Sequence, residues 1–291
     1  MRIVFAGTAA FGEPTLRQLI DAGHQVLMVL TQPDRMGGRG MKPIASPIKT
    51  LALELGIPTF QPARIRDQDA QQRIRELEPD TMIVVAYGQI LPLSLLDVPR
   101  LGTLNVHASL LPRHRGAAPI EWAILSGDSE TGVTIMQMDA GVDTGQMMAQ
   151  ERVQVTPDET AETLTAKLAP AGARLLVETL EKLQKGEVMP TPQPVEGVTH
   201  ARRLSSEDGK LDPMTMTAPE IDRRVRALGE RIGCWITLKG AELKILKGHL
   251  AGNPGEGIPV ESSDGSVYFV DEVQPAGGRR MSAAAWARGR R

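Results

Sequence analysis

Over residues 1–188, short continuous apolar runs alternate with stretches whose apolar residues recur at helical spacing; a proline-rich break follows, then short alternating runs between glycine-rich turns. These observations predict an α/β protein: a doubly wound, Rossmann-like, mostly parallel sheet domain over 1–188, a linker over 189–204 and a small β-domain over 205–291. Residues 2–6 (RIVFA) are apolar up to Gly7, and residues 14–22 then put Leu16, Leu19 and Ile20 on one helix face, so strand, turn and helix open the chain. Residues 25–30 read as a second strand, 46–55 and 70–77 as helices, and 81–86 (TMIVVA) as a strand apolar almost throughout, the mark of burial on both faces. Residues 104–106 and 133–138 (VTIMQM) continue the strand series, and a helix is expected around 159–185. Three prolines in the six residues 189–194 (MPTPQP) read as the linker. Beyond it, a helix around 219–228 precedes short strands at 234–238, 242–246 and 266–270.

Bulk composition bounds the function. The chain has 291 residues, enough for two moderate domains, and 41% apolar with 23% charged residues is ordinary for a folded globular protein. A formal net charge of -2 provides no general basic surface, so any polyanion must be met locally. Cys234 is the single cysteine, which excludes an intramolecular disulfide and a thiolate-rich metal site and fits a reducing compartment. Residues 1–7 are too short an apolar run for a signal peptide, and no stretch approaches the roughly 18 apolar residues of a membrane span. A cytoplasmic protein without membrane contact is expected.

In a doubly wound sheet the ligand crevice lies off the carboxyl ends of the strands, which directs attention to residues 7–11, 87–92, 105–119 and 139–145. The strongest local signal is NVH at Asn105, Val106 and His107, closing an apolar strand. Side chains two apart on a strand share a face, so Asn105 and His107 offer an amide donor and an imidazole to one crevice. Asp143, in DAGVDTG at 139–145, follows the next apolar strand and is expected at the same edge of the sheet. A carboxylate beside an imidazole orients it and favours its protonated form, and an amide can hold a developing oxyanion. Singly, each has a structural reading: hydrogen-bonding residues for Asn105 and His107, a glycine-rich turn for Asp143. At successive strand ends they suit acyl transfer in which the substrate supplies the nucleophile.

Other motifs are weaker. GTAAFG at 7–12 lacks the spacing of a dinucleotide loop, no Walker lysine is present, and the scattered histidines His24, His107, His114, His200 and His249 show no metal-ligand spacing, so no metal is expected. Ser109 lacks a nucleophile elbow and reads as a turn-capping hydroxyl. Residues 31–49 (TQPDRMGGRGMKPIASPIK) carry Arg35, Arg39, Lys42 and Lys49 against Asp34 alone, and their glycines predict a mobile loop. It reads equally as a grip for a phosphate backbone or as a solvated surface loop.

FAGT at Phe5, TQPDR at Thr31, GRG at Gly38, VVAYGQILP at Val84, NVHASLLPRHRGAAPIEWAI at Asn105 and ETGVTIMQMDAGVDTG at Glu130 together resemble the methionyl-tRNA formyltransferase branch of the folate-dependent formyltransferases, in order over nearly the whole first domain. The resemblance implies that Asn105, His107 and Asp143 are the catalytic trio. It also implies that Ser109, Leu110, Leu111 and Pro112 contact the folate with Tyr87, Gly88 and Ile90 near its pteridine, and that Arg39 and Lys42 meet transfer RNA. It implies an OB-like β-barrel for the second domain, whose closing signature is QPAGGRRMSA at Gln274. The chain departs from the branch over 227–235 (ALGERIGCW) and where Pro213 follows Asp212.

The implied reaction is attack by the α-amine of methionine, esterified to initiator transfer RNA, on the formyl carbon of 10-formyltetrahydrofolate. Asn105 and His107 would hold the oxyanion, His107 protonated beside Asp143, and Asp143 would order water for proton transfer to the leaving nitrogen, without a metal. The chain is expected to act as a monomer. The alternatives are a formyltransferase for a small amine, such as an amino-sugar nucleotide or glycinamide ribotide, a formylfolate hydrolase, and a non-catalytic RNA-binding protein.

Overall fold

The computed structural model describes residues 1–37, 40–250 and 257–289. They divide into two compact units: Met1–Gly116, Thr131–Gln154 and Thr165–His200 in the first, and Ala117–Glu130, Val155–Leu164 and Ala201–Arg291 in the second. The division is therefore not one cut of the chain within 189–204, because two earlier segments join the second unit.

The first unit opens with β1 (Arg2–Gly7), α1 (Glu13–Asp21), β2 (Gln25–Leu30), β3 (Arg35–Gly37), β4 (Lys42–Ile44), α2 (Pro47–Glu54) and β5 (Thr59–Phe60). It continues with α3 (Gln68–Arg75), β6 (Thr81–Val85), α4 (Leu93–Leu96), β7 (Thr103–His107) and β8 (Arg115–Gly116). After α5 (Pro119–Leu125) the chain returns as β9 (Glu130–Gln137), β10 (Met147–Gln154), α6 (Ala161–Gln184) and β11 (His200–Ala201). The helix starts follow local chemistry: Pro14 and Pro47 sit in first turns, where a missing N–H leaves nothing unpaired, and the Ser46 hydroxyl accepts from Lys49 N at 3.1 Å as the cap of α2.

The main sheet has the order β10-β9-β7-β6-β1-β2-β5. β1 pairs in parallel with β2 and β6, β2 with β5, and β6 with β7. Alternate residues share a face: Val4, Ala6, Met28, Leu30, Met82 and Val84 form one core cluster with Ala70 and Ile74 of α3 and Leu95 and Leu96 of α4. Ile3, Phe5, Val29, Ile83 and Val85, on the intervening positions, are fully buried. Each such side chain contributes roughly 1.5–3 kcal/mol by leaving water, which is why the continuous apolar strands lie between helices.

β9 runs antiparallel to β7, pairing Thr134 with His107 and Gln137 with Leu104. It therefore ends beside the start of β7, and the loop carrying Asp143 leaves from the edge opposite to the one expected. Direction is invisible in an apolar run, since a strand buried on both faces reads alike either way.

In the second unit α7 (Ala218–Ile232) precedes β12 (Cys234–Leu238), β13 (Ala241–Leu250), β14 (Ile258–Glu261), β15 (Val267–Pro275), β16 (Met281–Ser282) and α8 (Ala283–Arg288). The strands form a five-stranded antiparallel sheet, β12-β13-β15-β14 with β16 on β15. Ile221, Val225 and Leu228 of α7 and Trp286 of α8 pack with Ile236, Leu243, Ile245, Val260, Tyr268, Val270 and Val273. α7 begins with a capping box, Thr217 with Glu220, and kinks at Gly229, whose φ of 49° only glycine adopts freely. α5 belongs here: Arg223 Nε donates to Leu125 O at 3.2 Å, and Arg231 pairs with Glu121.

Candidate active site

The register of the parallel strands brings four loops to one edge. Gly7 pairs with Val85 and Val84 with Asn105, so the turns after β1, β2, β6 and β7 all leave from the carboxyl side. Asn105 and His107 alternate with Val106 along β7; all three are buried.

Asp143 reaches them by a return loop. Met138 N donates to Thr103 O at 2.8 Å and Gln137 N to Gln146 O at 2.9 Å, which fixes the ends of the loop. A Cβ on Gly145 would lie 1.7 Å from Gln137 O, so only glycine fits there. Asp143 has a left-handed φ of 53°. Its Oδ1 accepts from Asn105 Nδ2 at 3.3 Å, its Oδ2 accepts from Gly116 N at 2.8 Å, and Oδ2 lies 3.7 Å from His107 Nδ1. The structure thus brings Asn105, His107 and Asp143 together, by a route the sequence does not indicate.

The other edge of the His107 ring is also engaged. Nε2 lies 3.0 Å from the carbonyl oxygen of His114; a carbonyl only accepts, so Nε2 carries a proton. His114, at φ 55°, turns that carbonyl inward and is held by Thr199 Oγ1, which accepts from His114 N at 2.8 Å. The expected role of His107 as an oxyanion donor therefore meets a competing acceptor inside the protein.

The loop of Ser109, Leu110, Leu111 and Pro112 is pinned from behind by β9 and β10. Thr134 Oγ1 donates to Ser109 O at 2.7 Å and accepts from Leu111 N at 3.1 Å, and Gln150 Nε2 donates to Leu111 O at 3.0 Å and to Thr134 Oγ1 at 2.9 Å. Ser109 Oγ donates to Arg113 O at 2.6 Å, a turn bond of the kind read from the sequence. The Leu111–Pro112 bond is cis.

Of the three residues expected near the pteridine, Tyr87 points inward: its ring is buried in the core cluster with Val4 and Met82, and burial pushes its phenol up to about 12. Its carbonyl accepts from Thr8 Oγ1 at 2.8 Å. Gly88 has a φ of 87°, and Ile90 is 86% exposed.

β3 and β4 pair as the two arms of a hairpin, Arg35 opposite Ile44 and Gly37 opposite Lys42, where a mobile loop is expected. Lys42 is exposed, and Arg39 lies outside the described residues. Lys49 is committed to Asp34 at 2.6 Å; Gln61 Nε2 donates to the other carboxylate oxygen at 2.7 Å, and these bonds hold Asp34 below the usual carboxylate range. Cys234 is buried, its thiol pushed up to about 12 by that burial. Among the described residues, no helix is long and apolar enough to cross a membrane, and no group of three or more His, Cys, Asp or Glu is arranged to hold a metal.

Sequence reasoning missed Thr134, Gln150, His114, Gly116 and Gln193. Gln193 Nε2 donates to both Asp143 O and Gly145 O at 2.8 Å, from within the stretch expected to be a linker. A polar residue between prolines carries no pattern that marks it, whereas Thr134, set between Val133 and Ile135 in an apolar strand, does.

An α/β unit with an amide, imidazole and carboxylate at its carboxyl edge, followed by an antiparallel-sheet unit, has the organisation of a two-part group-transfer enzyme. A family model described as formyl transferase matches residues 1–180, and one described as formyl transferase, C-terminal domain, matches residues 203–291. The chain is 48% identical over 298 residues to the methionyl-tRNA formyltransferase of Paramagnetospirillum magneticum, covering 99% of this chain and 97% of the relative. It is 45% identical to that of Chromobacterium violaceum, covering 100% of this chain and 97% of the relative. The fold is similar, with a TM-score of 0.70 at 17% identity, to that of a Helicobacter canadensis N-formyltransferase solved with folinic acid and dTDP-3-aminofucose, over 92% of this chain and 98% of that one. The chain belongs to the formyl transferase family, among its methionyl-tRNA formyltransferases.

Proposed function

We propose that the chain transfers the formyl group of 10-formyltetrahydrofolate to the α-amine of methionine carried by initiator transfer RNA, as a cytoplasmic monomer, with Asn105, His107 and Asp143 at the reacting carbon. The observation that carries the reading is the gathered trio, Asn105 Nδ2 at 3.3 Å and His107 Nδ1 at 3.7 Å from the two Asp143 oxygens, in a chain 48% identical over its length to a methionyl-tRNA formyltransferase. The donor set fits a reduced formylfolate, since the transfer needs N–H groups for an oxyanion and a carboxylate–imidazole pair for one proton. The folate supplies the formyl carbon and a nitrogen as leaving group.

Asn105 has two amide protons and gives one to Asp143, so the other is available to the formyl oxygen as negative charge develops on it. His107 Nε2–H exchanges its neutral carbonyl partner for that oxygen, because hydrogen bonds to a charged acceptor are roughly twice as strong. As the new C–N bond forms and the bond to the folate nitrogen breaks, one proton leaves the amine and one arrives on the folate nitrogen. Asp143, facing His107 Nδ1 at 3.7 Å, is the base that accepts and returns it through water. Folate contacts fall to Ser109, Leu110, Leu111 and Pro112 with Gly88 and Ile90, and phosphate contacts to Arg39 and Lys42.

The deciding assay offers 10-formyltetrahydrofolate with charged initiator transfer RNA, charged elongator methionyl-tRNA, or a small amine. Formylation of the initiator at the highest kcat/KM is expected. Preference for the small amine, release of formate without an acceptor, or folate binding without turnover would overturn the reading.

A further inference from the structure

Residues 189–204 are expected to be a linker, but Gln193 within them is spent on the site. Thr191 and Met147 exchange backbone bonds, both 2.9 Å. Gln193 uses its whole amide: Nε2 gives its two hydrogens to the carbonyls of Asp143 and Gly145, both at 2.8 Å, and Oε1 accepts from Arg115 Nε at 2.9 Å and Nη2 at 2.6 Å. The next residue after Arg115 closes a ring, since Gly116 N donates to Asp143 Oδ2 at 2.8 Å.

We propose that Gln193 is a positioning residue for the transfer, tying the backbone of the Asp143 turn to Arg115 so that the carboxylate is presented to Asn105 and His107 at a fixed place. The inference rests on the reading of Asp143 as part of the reacting centre. Asp143 needs such a tie for two reasons. Its left-handed backbone, φ 53°, persists only where the surroundings over-determine it. Its loop also starts from the opposite edge of the sheet, beside Leu104, so β9 itself does not set the height of the carboxylate. Pro190, Pro192 and Pro194 flank this contact, lacking N–H groups and fixing φ on either side of Thr191 and Gln193. The gap from Asp143 Oδ2 to His107 Nδ1 is already 3.7 Å, longer than a hydrogen bond, so a small slip of the turn removes the pairing.

The test compares Gln193→Ala, which removes every arm, with Gln193→Glu, which keeps an acceptor for Arg115 and loses both donors to the turn. Hydrogen exchange over residues 139–146 and steady-state kinetics are read for each, alone and combined with Asp143→Ala. Exchange in that segment should rise about tenfold or more in both variants, because the turn opens locally. Turnover should fall by about tenfold or more with KM for the folate held within about threefold, and the combined variant should be no slower than Asp143→Ala by more than about twofold, since both changes remove one function. Unchanged exchange, wild-type turnover in both single variants, or losses that multiply in the combined variant would overturn the proposal. A fully active Asp143→Ala would sink the catalytic reading of Asp143 and with it the positioning role, whereas the exchange rates would still decide whether the tie exists. If Gln193→Ala does not fold, Gln193→Glu carries the same readouts.

Discussion

Asn105 and His107 share one face of β7, but their neighbours give them different work. Asn105 keeps one amide proton beyond its bond to Asp143, whereas His107 Nε2 must give up the carbonyl of His114 to reach an oxyanion. Asn105→Ala and His107→Ala are each expected to lower turnover about 10²- to 10³-fold, the usual loss for one oxyanion donor, with folate affinity and melting temperature little changed. Steady-state rates beside thermal melts check this, and near-wild-type turnover in both would remove the trio from the mechanism. A second prediction concerns Asp208 in the second unit. The Arg202 guanidinium, with Ser205 N at 2.8 Å, holds its carboxyl down to about 2 from 3.8, against the opposing effect of burial. The ionised form therefore favours the fold: the stabilisation is complete above the unfolded-state value and is lost as pH falls through about 2. Asp208→Asn should melt below wild type near neutral pH, and the gap should close as both are acidified; a gap that persists undiminished would contradict the assignment.

At the scale of elements, β9 and β10 hold the loop that follows β7. Thr134 is fully buried, and its hydroxyl both donates to Ser109 O and accepts from Leu111 N. Thr134→Val keeps the shape and strands that N–H, a loss of about 1–3 kcal/mol. If residues 109–112 contact the folate, KM for the donor should rise while binding of transfer RNA is unaffected; a variant with lower stability and unaltered KM would separate the loop from the folate. At Gly145 the return loop has no room for a methyl group against backbone. Gly145→Ala sets a carbon 1.7 Å from Gln137 O, so the turn must open and Asp143 must move. Loss of turnover in a protein that still melts cooperatively is expected, and wild-type turnover would show that the turn tolerates the shift.

For the molecule as a whole, a net charge of -2 leaves transfer RNA to local groups. Asp34 neutralises Lys49, so of the four cations at 31–49 the hairpin presents Arg35 and Lys42 among the described residues. Lys42→Ala combined with Arg39→Ala should weaken transfer-RNA binding and flatten its salt dependence, since each lost phosphate contact releases fewer counterions. Folate affinity should stay constant. Binding constants across a salt series read this directly, and parallel slopes with equal affinities would return the hairpin to the role of a solvated surface.

The sequence by itself determined the layered α/β plan, because unbroken apolar runs such as 81–86 have no stable place except between helices. It also determined that Asn105 and His107 lie on one face, since a strand alternates its side chains at every second residue. Identity came from the order of motifs along the first domain, which matching over the whole length bears out. Only the tertiary structure decided that β9 runs against β7, because periodicity carries no direction. It alone showed that 117–130 packs with the second unit and that the proline-rich stretch grips the Asp143 turn, since such contacts join residues far apart in the chain. Tyr87 marks the same limit: its position at a strand end is legible from the sequence, but only the packed structure shows its ring buried among Val4 and Met82, since those neighbours lie far away in the chain.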